Sequence, residues 1–245
     1  MDLGITGRRA AVAAASSGLG FASAAALAAE GAHVTLCGSD EGRIRAAAER
    51  IGAGYVVADL TTADGAQRFV EEAGAAMGGV DILVTNGPGP APGTALTAPF
   101  ESYQSALDAN LLAVVKMCLT AIPGMQAAGW GRIVAITSLS VRQPMANLVL
   151  SNTARAGATG FLKSLALQVA GEGITVNSVQ PGLHDTARVR GLSGDDPVST
   201  DGIPAGRIGT PAEFGGIVAF LCSQQAGFLT GTAIPVDGGA YQALL

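Results

Sequence analysis

Short apolar runs rich in β-branched residues alternate along the chain with longer alanine-rich stretches. The short runs predict seven β-strands, at 9–15, 33–37, 55–58, 82–85, 132–137, 175–180 and 233–236. The longer stretches have apolar residues at helical spacing and predict helices, among them 100–128 and 151–170. This alternation predicts an α/β fold: one doubly wound, Rossmann-type domain over 1–245, whose seven-stranded parallel sheet has helices on both faces.

Two segments between the predicted elements are too long and irregular to be simple connections. They are the GPGPAPG string at 87–93 and the polar stretch at 183–209. Both follow predicted strands, so both are expected at the carboxyl edge of the sheet, where folds of this class bind ligands.

Composition narrows the choice of partner. Apolar residues make up 49% of the chain, but many of them are alanine, and no unbroken apolar run reaches the roughly 18 residues that a membrane helix needs. The net charge is −5 and no tract is rich in Lys or Arg. These features predict a small-molecule partner, with no nucleic-acid and no membrane partner.

The cysteines give the expected compartment. Cys37, Cys118 and Cys222 are an odd number, each lies in an apolar stretch, and none has the spacing of a metal site. The start of the chain has no export-signal pattern. We therefore expect reduced core cysteines, no metal and a cytoplasmic location.

The first predicted strand runs through AAASSGLG into an alanine-rich helix. Gly18 and Gly20 open that helix, and the free N–H groups of a helix start form an anion site. Two glycines alone are also typical of a tight strand–helix turn. The string from Ala14 to Gly20 resembles the TGxxxGxG turn of the short-chain dehydrogenase/reductase family.

Further matches to that family follow in order along the chain. They are AlaAspLeu at 58–60, Asn110, IleThrSer ending at Ser138, ProGly at 181–182 with Thr186, and ValAspGlyGly ending at Gly239. The resemblance implies a nicotinamide dinucleotide cofactor. It implies a cofactor-binding set of Ala14, Ser16, Ser17, Gly18, Leu19, Gly20, Ser39, Asp59, Leu60, Asn86, Gly87, Pro181, Gly182 and Thr186.

Two positions depart from the family pattern in the nucleotide half. Ala14 replaces the first glycine, and Pro88 stands within the string that the family usually writes AsnAsnAlaGly. A Cβ atom and a proline ring both narrow the nucleotide cleft. Alternatively, the neighbouring Gly87 and Gly89 restore the room.

The preference between NAD and NADP is usually set at the end of the second strand, where Gly38 and Ser39 stand here. Asp40 is placed to reach a ribose and Arg43 to pair with a phosphate, or both are solvated residues of a helix start. Because no carboxylate stands at 38 or 39, the sequence favours NADP over NAD.

The catalytic positions are the largest departure. In the family, a Ser at the end of the fifth strand and a Tyr thirteen positions later share the substrate oxygen, and a Lys four residues further lowers the pKa of the Tyr. Counted from Ser138, these positions hold Ser151 and Arg155. An aliphatic alcohol is a far weaker acid than a phenol, and Arg keeps its charge but does not pass on a proton.

This part of the chain resembles a minority branch of the family in which SerAsnxxArg replaces TyrxxxLys. The resemblance implies that Ser138 polarises a carbonyl or alcohol oxygen, Ser151 adds a second donor and Asn110 holds a water. Arg155 would orient the cofactor ribose or a substrate anion. The alternative is that Ser151, Asn152 and Arg155 form the N-cap and first turn of a buried helix.

His184 is the candidate proton donor, because a histidine moves protons near neutral pH and Asp185 beside it biases its charge. A lone loop histidine is otherwise a surface residue. Tyr103 and Tyr241 are weaker candidates, and His33 is expected to be structural.

These features predict an NAD(P)-dependent oxidoreductase with a non-standard catalytic set that acts on a small or medium alcohol or ketone. The alternatives are a non-redox enzyme on the same fold, of dehydratase, isomerase or cyclase type, and a catalytically silent cofactor-binding protein. Arg142, Arg188 and Arg190 flank the expected cleft and either attract an anionic substrate or are solvated. The helices at 100–128 and 151–170 resemble the family's subunit-packing helices, so a homotetramer or homodimer is expected.

Overall fold

All seven predicted strands are present in the computed structural model, which describes residues 2–193 and 197–244. The strands are β1 Arg9–Val12, β2 His33–Gly38, β3 Gly54–Val57, β4 Ile82–Thr85, β5 Gly131–Ile136, β6 Ile174–Pro181 and β7 Ala233–Val236. They form one sheet in the order β3-β2-β1-β4-β5-β6-β7, and every neighbouring pair is parallel. The predicted doubly wound α/β fold is confirmed. Because the strand order reverses between β1 and β4, a crevice opens there at the carboxyl edge.

Eight α-helices cover the two faces of the sheet within the described residues. They are α1 Gly18–Ala29, α2 Glu41–Glu49, α3 Ala63–Met77, α4 Glu101–Leu107, α5 Ala113–Ala128, α6 Val149–Val169, α7 Ala187–Ser193 and α8 Pro211–Leu221. Helices α1, α2 and α8 share one apolar core with the sheet, and α3, α5 and α6 share the other. Strands with both faces buried account for the nearly continuous apolar runs in the sequence.

Helices α1 and α8 approach each other closely. Gly215 of α8 faces the backbone of Ala22, where any side chain would collide with the carbonyl oxygen. This contact fixes the axis of α1, and therefore the direction in which its first turn points.

Three differences from the predictions exceed a shift of one residue at the end of an element. Regular pairing of β1 ends at Val12, earlier than predicted, because Ala14 adopts φ +46°, outside the extended range. Helix α6 begins at Val149 rather than at 151. The segment 183–209 is not irregular throughout, since it contains α7; its residues 194–196 lie outside the described chain.

The predicted helix at 100–128 is continuous but not regular. A single π-helical turn, Asp108–Leu112, joins α4 to α5. Glu101–Ala128 is the one helix among the described residues that is long and apolar enough to cross a membrane. The inner side of α5 packs in the core with α3 and the sheet, where Met117 and Cys118 are fully buried, and 39% of the apolar window is buried in all.

Candidate active site

A cavity of about 1240 Å³ opens at the carboxyl edge of the sheet, at the crevice between β1 and β4. It exceeds the roughly 300–1000 Å³ of an ordinary small-molecule pocket, so it has room for an extended ligand beside a small one. The candidate residues that line it are Ala14, Ser16, Ser17, Gly18, Leu19, Ser39, Asp59, Leu60, Asn86, Gly87, Ser138, Ser151, Arg155, Pro181, Gly182, His184 and Thr186. Gly20 and Asn110 lie behind this lining, against Asn86 and Gly87 respectively.

The first turn of α1 presents backbone N–H groups to the cleft, an arrangement that can bind an anion. Its N-cap residue, Ser17, makes no side-chain capping hydrogen bond, so the first N–H groups of the helix remain available at the cleft. Gly18 has φ +59°, a conformation that favours glycine. A Cβ atom on Gly20 would lie 2.5 Å from the carbonyl oxygen of Ala14 and 3.0 Å from Nδ2 of Asn86. The turn therefore packs against β1 and β4 as closely as glycine allows, which fits a bound pyrophosphate.

Ala14 is the position where the family has its first glycine. It is the one non-glycine residue with positive φ among the described residues, at +46°. Asn86 donates from Nδ2 to its carbonyl oxygen at 3.2 Å and so ties the end of β4 to the turn. The Ala14 side chain packs against the buried core shared with α3 and α5. The Cβ atom is accommodated at a cost in backbone strain.

Replacing Ala14 with glycine is expected to raise the free energy of unfolding by about 1 kcal/mol. The left-handed conformation costs a residue with a Cβ atom roughly 1–2 kcal/mol, and glycine removes this strain. Part of the gain is offset because glycine makes the unfolded chain more flexible. Urea denaturation measures the change. Ala13→Gly is the matched control: Ala13 is fully buried and has no such strain, so its replacement should lower stability by about 1 kcal/mol or more. Equal destabilisation by both variants would contradict the predicted backbone strain at Ala14.

The glycines after β4 do not leave open space. A Cβ atom on Gly87 would lie 2.7 Å from the carbonyl oxygen of Ala109, so this glycine allows the π-helical turn to approach. The guanidinium of Arg188 occupies the room beside Gly89. Pro88 lines the cleft between them. The space that these two glycines were expected to leave in the cleft is therefore filled by protein atoms.

The end of the cleft where the family resemblance places the adenine is polar, and its charged side chains are engaged in local contacts. Asp59 accepts hydrogen bonds from N and Oγ1 of Thr61 at 2.9 and 2.7 Å, and these bonds hold the pKa of its carboxyl below the usual value. Asp40 caps α2 by accepting from the backbone N–H of Arg43 at 2.8 Å, and its other oxygen lies 3.6 Å from Nε of Arg43. The helix-start interpretation of Asp40 and Arg43 agrees with this geometry, and Ser39 is left exposed at the cleft.

Ser138 and Ser151 both face the cleft from opposite ends of the segment that joins β5 to α6. Ser138 Oγ accepts from the backbone N–H of Ser140 at 3.1 Å, which leaves its hydroxyl hydrogen to donate into the cleft. Ser151 is only 8% exposed and is the third residue of α6. The N-cap of α6 is Leu148, so the interpretation of Ser151 as an N-cap is wrong, whereas its place in the first turn is right.

Arg155 lies one helical turn beyond Ser151 and is 9% exposed. Its Nη1 donates to the carbonyl oxygens of Ile136 and Thr137 at 3.0 and 3.1 Å. Burial, together with a smaller effect of the nearby charge of Arg188, lowers the pKa of the guanidinium to about 10, so Arg155 stays protonated at neutral pH. Arg155 therefore holds the end of β5 next to Ser138 and brings a positive charge to the cleft.

Asn110 is in the middle of the π-helical turn. Its Nδ2 donates to the carbonyl oxygen of Ala106 at 3.3 Å, and its buried Oδ1 has no partner among the described residues. Single π-helical turns are frequent at functional sites because they redirect one side chain without ending a helix. The unpaired Oδ1 fits the predicted water-binding role, and nothing in the sequence marks the turn itself.

His184 is not a surface residue, since only 3% of it is exposed. Its Nδ1 lies 3.2 Å from the carbonyl oxygen of Gly182, and its ring meets that of Phe214 edge-on at 5.3 Å. Loss of solvent lowers its pKa, so the ring is neutral at pH 7. Asp185 turns away and pairs with Arg190 at 2.7 Å.

Neither tyrosine candidate lines the cleft; indeed, no tyrosine is among the described residues that do. Tyr103 is on α4 beside the ring of Phe100, and Tyr241 lies under the guanidinium of Arg142. His33 begins β2 and is exposed. The described lining of the cleft thus offers hydroxyl groups, two guanidinium groups and an imidazole, but no phenol.

Sequence reasoning missed part of the cleft wall. Gln143 and Asn147 line the cleft from the segment between Ser138 and Ser151. The backbone of this segment is tied to the 87–93 loop, because the N–H of Gly93 donates to the carbonyl oxygen of Asn147 at 2.8 Å. The signal in the sequence that could have indicated these two residues is their position between Ser138 and Ser151. The loop contact is long-range and leaves no sequence signal.

Comparisons with known proteins agree with this geometry. The family model described as enoyl-(acyl carrier protein) reductase matches residues 13–241. The chain is 35% identical to dehydrogenase/reductase SDR family member 4 of Bos taurus, covering 95% of this chain and 87% of that protein. It is also 35% identical to the 3-oxoacyl-(acyl-carrier-protein) reductase FabG of Escherichia coli (strain K12), covering 96% and 98%. The structure of L-sorbose reductase from Gluconobacter frateurii, complexed with NADPH and L-sorbose, superposes with a TM-score of 0.92 at 32% identity, covering 100% of both chains.

The chain belongs to the short-chain dehydrogenase/reductase family. It is an oxidoreductase of that family with a nicotinamide dinucleotide, NADP or NAD, as its cofactor. The reductases among its relatives favour this function over the non-redox and catalytically silent alternatives.

Proposed function

We propose that this oxidoreductase interconverts a small or medium ketone and its alcohol with a catalytic set that contains no tyrosine. One observation carries the proposal: Ser138, Ser151 and Arg155 line the same cleft as the uncapped start of α1. A dinucleotide bound there would supply or accept hydride at its nicotinamide ring. The protein groups then need only to hold the substrate oxygen, stabilise its charge and exchange one proton.

The proposed roles follow from the environment of each group. Ser138 and Ser151 donate hydrogen bonds to the substrate oxygen, and Arg155 stabilises negative charge that develops on it in a poorly solvated cleft. Asn110 holds a water through its unpaired Oδ1. His184 exchanges the proton, because a neutral imidazole at the cleft has one nitrogen that accepts and one that donates.

The preference for NADP is also proposed. Ser39 leaves no carboxylate to repel a 2′-phosphate, and the similar L-sorbose reductase structure holds NADPH. Calorimetric titration with NADPH and with NADH tests it. Trp130 precedes β5 at the opposite edge of the sheet, between Arg8 and Arg132, so its fluorescence is a poor reporter of the cleft.

NADPH is expected to bind at least about tenfold more tightly than NADH, because one charge-assisted hydrogen bond to the 2′-phosphate contributes about that much affinity. Tighter binding of NADH would reverse the preference and leave the oxidoreductase function in place. Failure of both to bind at millimolar concentration would refute the proposed function.

His184 predicts a pH dependence of stability. The pKa of His184 is lower in the folded chain than in the unfolded chain. As the pH falls through the usual pKa of histidine, the unfolded chain therefore binds more protons than the folded chain, and the free energy of unfolding decreases. Unfolding free energy is therefore expected to decrease between about pH 7.5 and 5.5, above the range where carboxylates titrate. His184→Gln removes this dependence, which urea denaturation at both pH values measures. His33→Gln, at an exposed position, is the control and should retain the wild-type slope.

We also propose a homo-oligomer, a tetramer or a dimer, in the cytoplasm. Leu119 on α5 and Leu167 on α6 are 53% and 73% exposed on helices that cover the same face of the sheet. The free, buried Cys37, Cys118 and Cys222 are compatible with a reducing compartment.

Leu167→Glu is expected to shift the wild-type oligomer to a smaller species, because a charge at an apolar interface is costly. Light scattering coupled to size-exclusion chromatography measures the mass. Ala46→Glu, at an exposed position of α2 on the opposite face of the sheet, adds the same charge and should leave the mass unchanged. A monomeric wild-type protein would contradict the proposal.

A further inference from the structure

We propose that the substrate is an oxo- or hydroxy-carboxylate whose carboxylate binds between Arg155 and Arg188. The inference rests on the proposed oxidoreductase function and names the class of its substrate. Both arginines line the cleft, Arg155 from α6 and Arg188 from α7, and they are the two arginines among its described lining residues.

Arg155 is a buried cation without a carboxylate partner. Its known contacts are the two carbonyl oxygens of Ile136 and Thr137, both to Nη1, and it forms no ion pair with any described residue. A guanidinium has five N–H donors, so most of its donor capacity remains. Burial of an unpaired charge is costly, and a bound anion offsets that cost.

Arg188 is held in place rather than left in solvent. Its Nη1 donates to the carbonyl oxygen of Gly89 at 3.2 Å and its Nη2 to that of Pro90 at 3.1 Å. The missing side chain of Gly89 makes room for the guanidinium. These bonds fix a second cation on the wall formed by the loop after β4, again without an ion pair to any described residue.

Among the residues that the structure describes, the acidic groups of the cleft do not neutralise this pair. The two among its described lining residues are Asp59 and Asp201. Asp59 is bound to Thr61 at the adenine end, and Asp201 is exposed and pairs with neither arginine. The lowered pKa of Arg155, caused first by burial and then by the charge of Arg188, agrees with two cations close together. The phosphates of the dinucleotide are expected at the start of α1, so the two guanidinium groups remain for the substrate.

The test compares 2-oxo, 3-oxo and 4-oxo acids with their methyl esters, on protein saturated with the preferred dinucleotide. Calorimetry with the oxidised cofactor gives affinity, and turnover with the reduced cofactor gives kcat/KM. At least one acid is expected to exceed its ester by about 10–100-fold in both, which is the range of a charge-assisted hydrogen bond. Arg188→Gln should reduce this acid-to-ester ratio by about tenfold or more, and Arg188→Lys should recover part of it.

Arg190→Gln is the matched control. Arg190 is on the same helix, is exposed and pairs with Asp185, so its replacement changes the charge of the chain by the same amount outside the cleft. It should leave the ratio within about twofold, since exposed pairs contribute little. If no acid binds or reacts better than its ester, or if Arg188→Gln leaves the ratio unchanged, the inference is overturned. Efficient turnover of the neutral esters would then keep the proposed function, whereas absence of dinucleotide binding would remove that function itself.

Discussion

Replacing Gly20 with alanine is expected to weaken NADPH binding by about 100-fold or more. The new Cβ atom would lie 2.5 Å from the carbonyl oxygen of Ala14, which is backbone and does not rotate away. The start of α1 must then move, and the N–H groups that face the pyrophosphate move with it. Calorimetric titration measures the loss of affinity, and urea denaturation confirms that the variant is folded.

Gly74→Ala serves as the control for Gly20. Gly74 is in α3, where an added Cβ atom would meet Val80 at 3.7 Å, an ordinary contact. Alanine in a helix interior is expected to raise stability by up to about 1 kcal/mol and to leave NADPH affinity unchanged. Wild-type affinity in Gly20→Ala would show that the dinucleotide is not held at this turn.

Ser138→Ala is expected to lower kcat by about 100- to 1000-fold, the effect of losing one donor to an oxyanion. Because Oγ of Ser138 accepts a hydrogen bond from the backbone N–H of Ser140, its hydroxyl hydrogen is left for the substrate. The loss should fall on kcat, with the affinity for NADPH unchanged. Steady-state kinetics on the best substrate and calorimetry on the cofactor separate the two quantities.

The control for Ser138 is Ser164→Ala. Ser164 is exposed on α6 and donates to the carbonyl oxygen of Gly160, away from the cleft. It should retain wild-type kinetics. A Ser138→Ala variant with undiminished kcat would exclude Ser138 as a donor in the rate-limiting step.

The strands could be predicted because each is a short apolar run, and the five inner strands are largely buried on both faces. The grouping of Ser151 with Arg155 could also be predicted, because residues four apart share one face of a helix. The carbonyl partners of Arg155 could not, since Ile136 and Thr137 reach it through the packing of β5 against α6. Local pattern describes an element, whereas these contacts arise between elements.

The same limit applies to the segment 183–209. Its polar composition predicted an irregular loop, yet seven of its residues form α7, where Arg188 bonds to two carbonyl groups of a loop nearly a hundred positions earlier. The sequence alone did not distinguish among the three arginines at 142, 188 and 190 as candidates for binding an anionic substrate. In the structure, Arg142 bonds to the carbonyl oxygen of Ala233 and lies over the Tyr241 ring, and Arg190 pairs with Asp185. Of the three, Arg188 is the one that lines the cleft.

The π-helical turn at Asp108–Leu112 has a consequence for chain length. Such a turn holds one residue more than regular α-helix would use over the same rise. It allows α4 to pack on α6 while α5 packs on α3, although both belong to one continuous helix. Deletion of a single residue there would restore regular α-helical geometry with the two halves in nearly the same orientation, and it would remove the widened turn that carries Asn110. A one-residue deletion in this turn is therefore expected to cost more catalytic activity than folding stability.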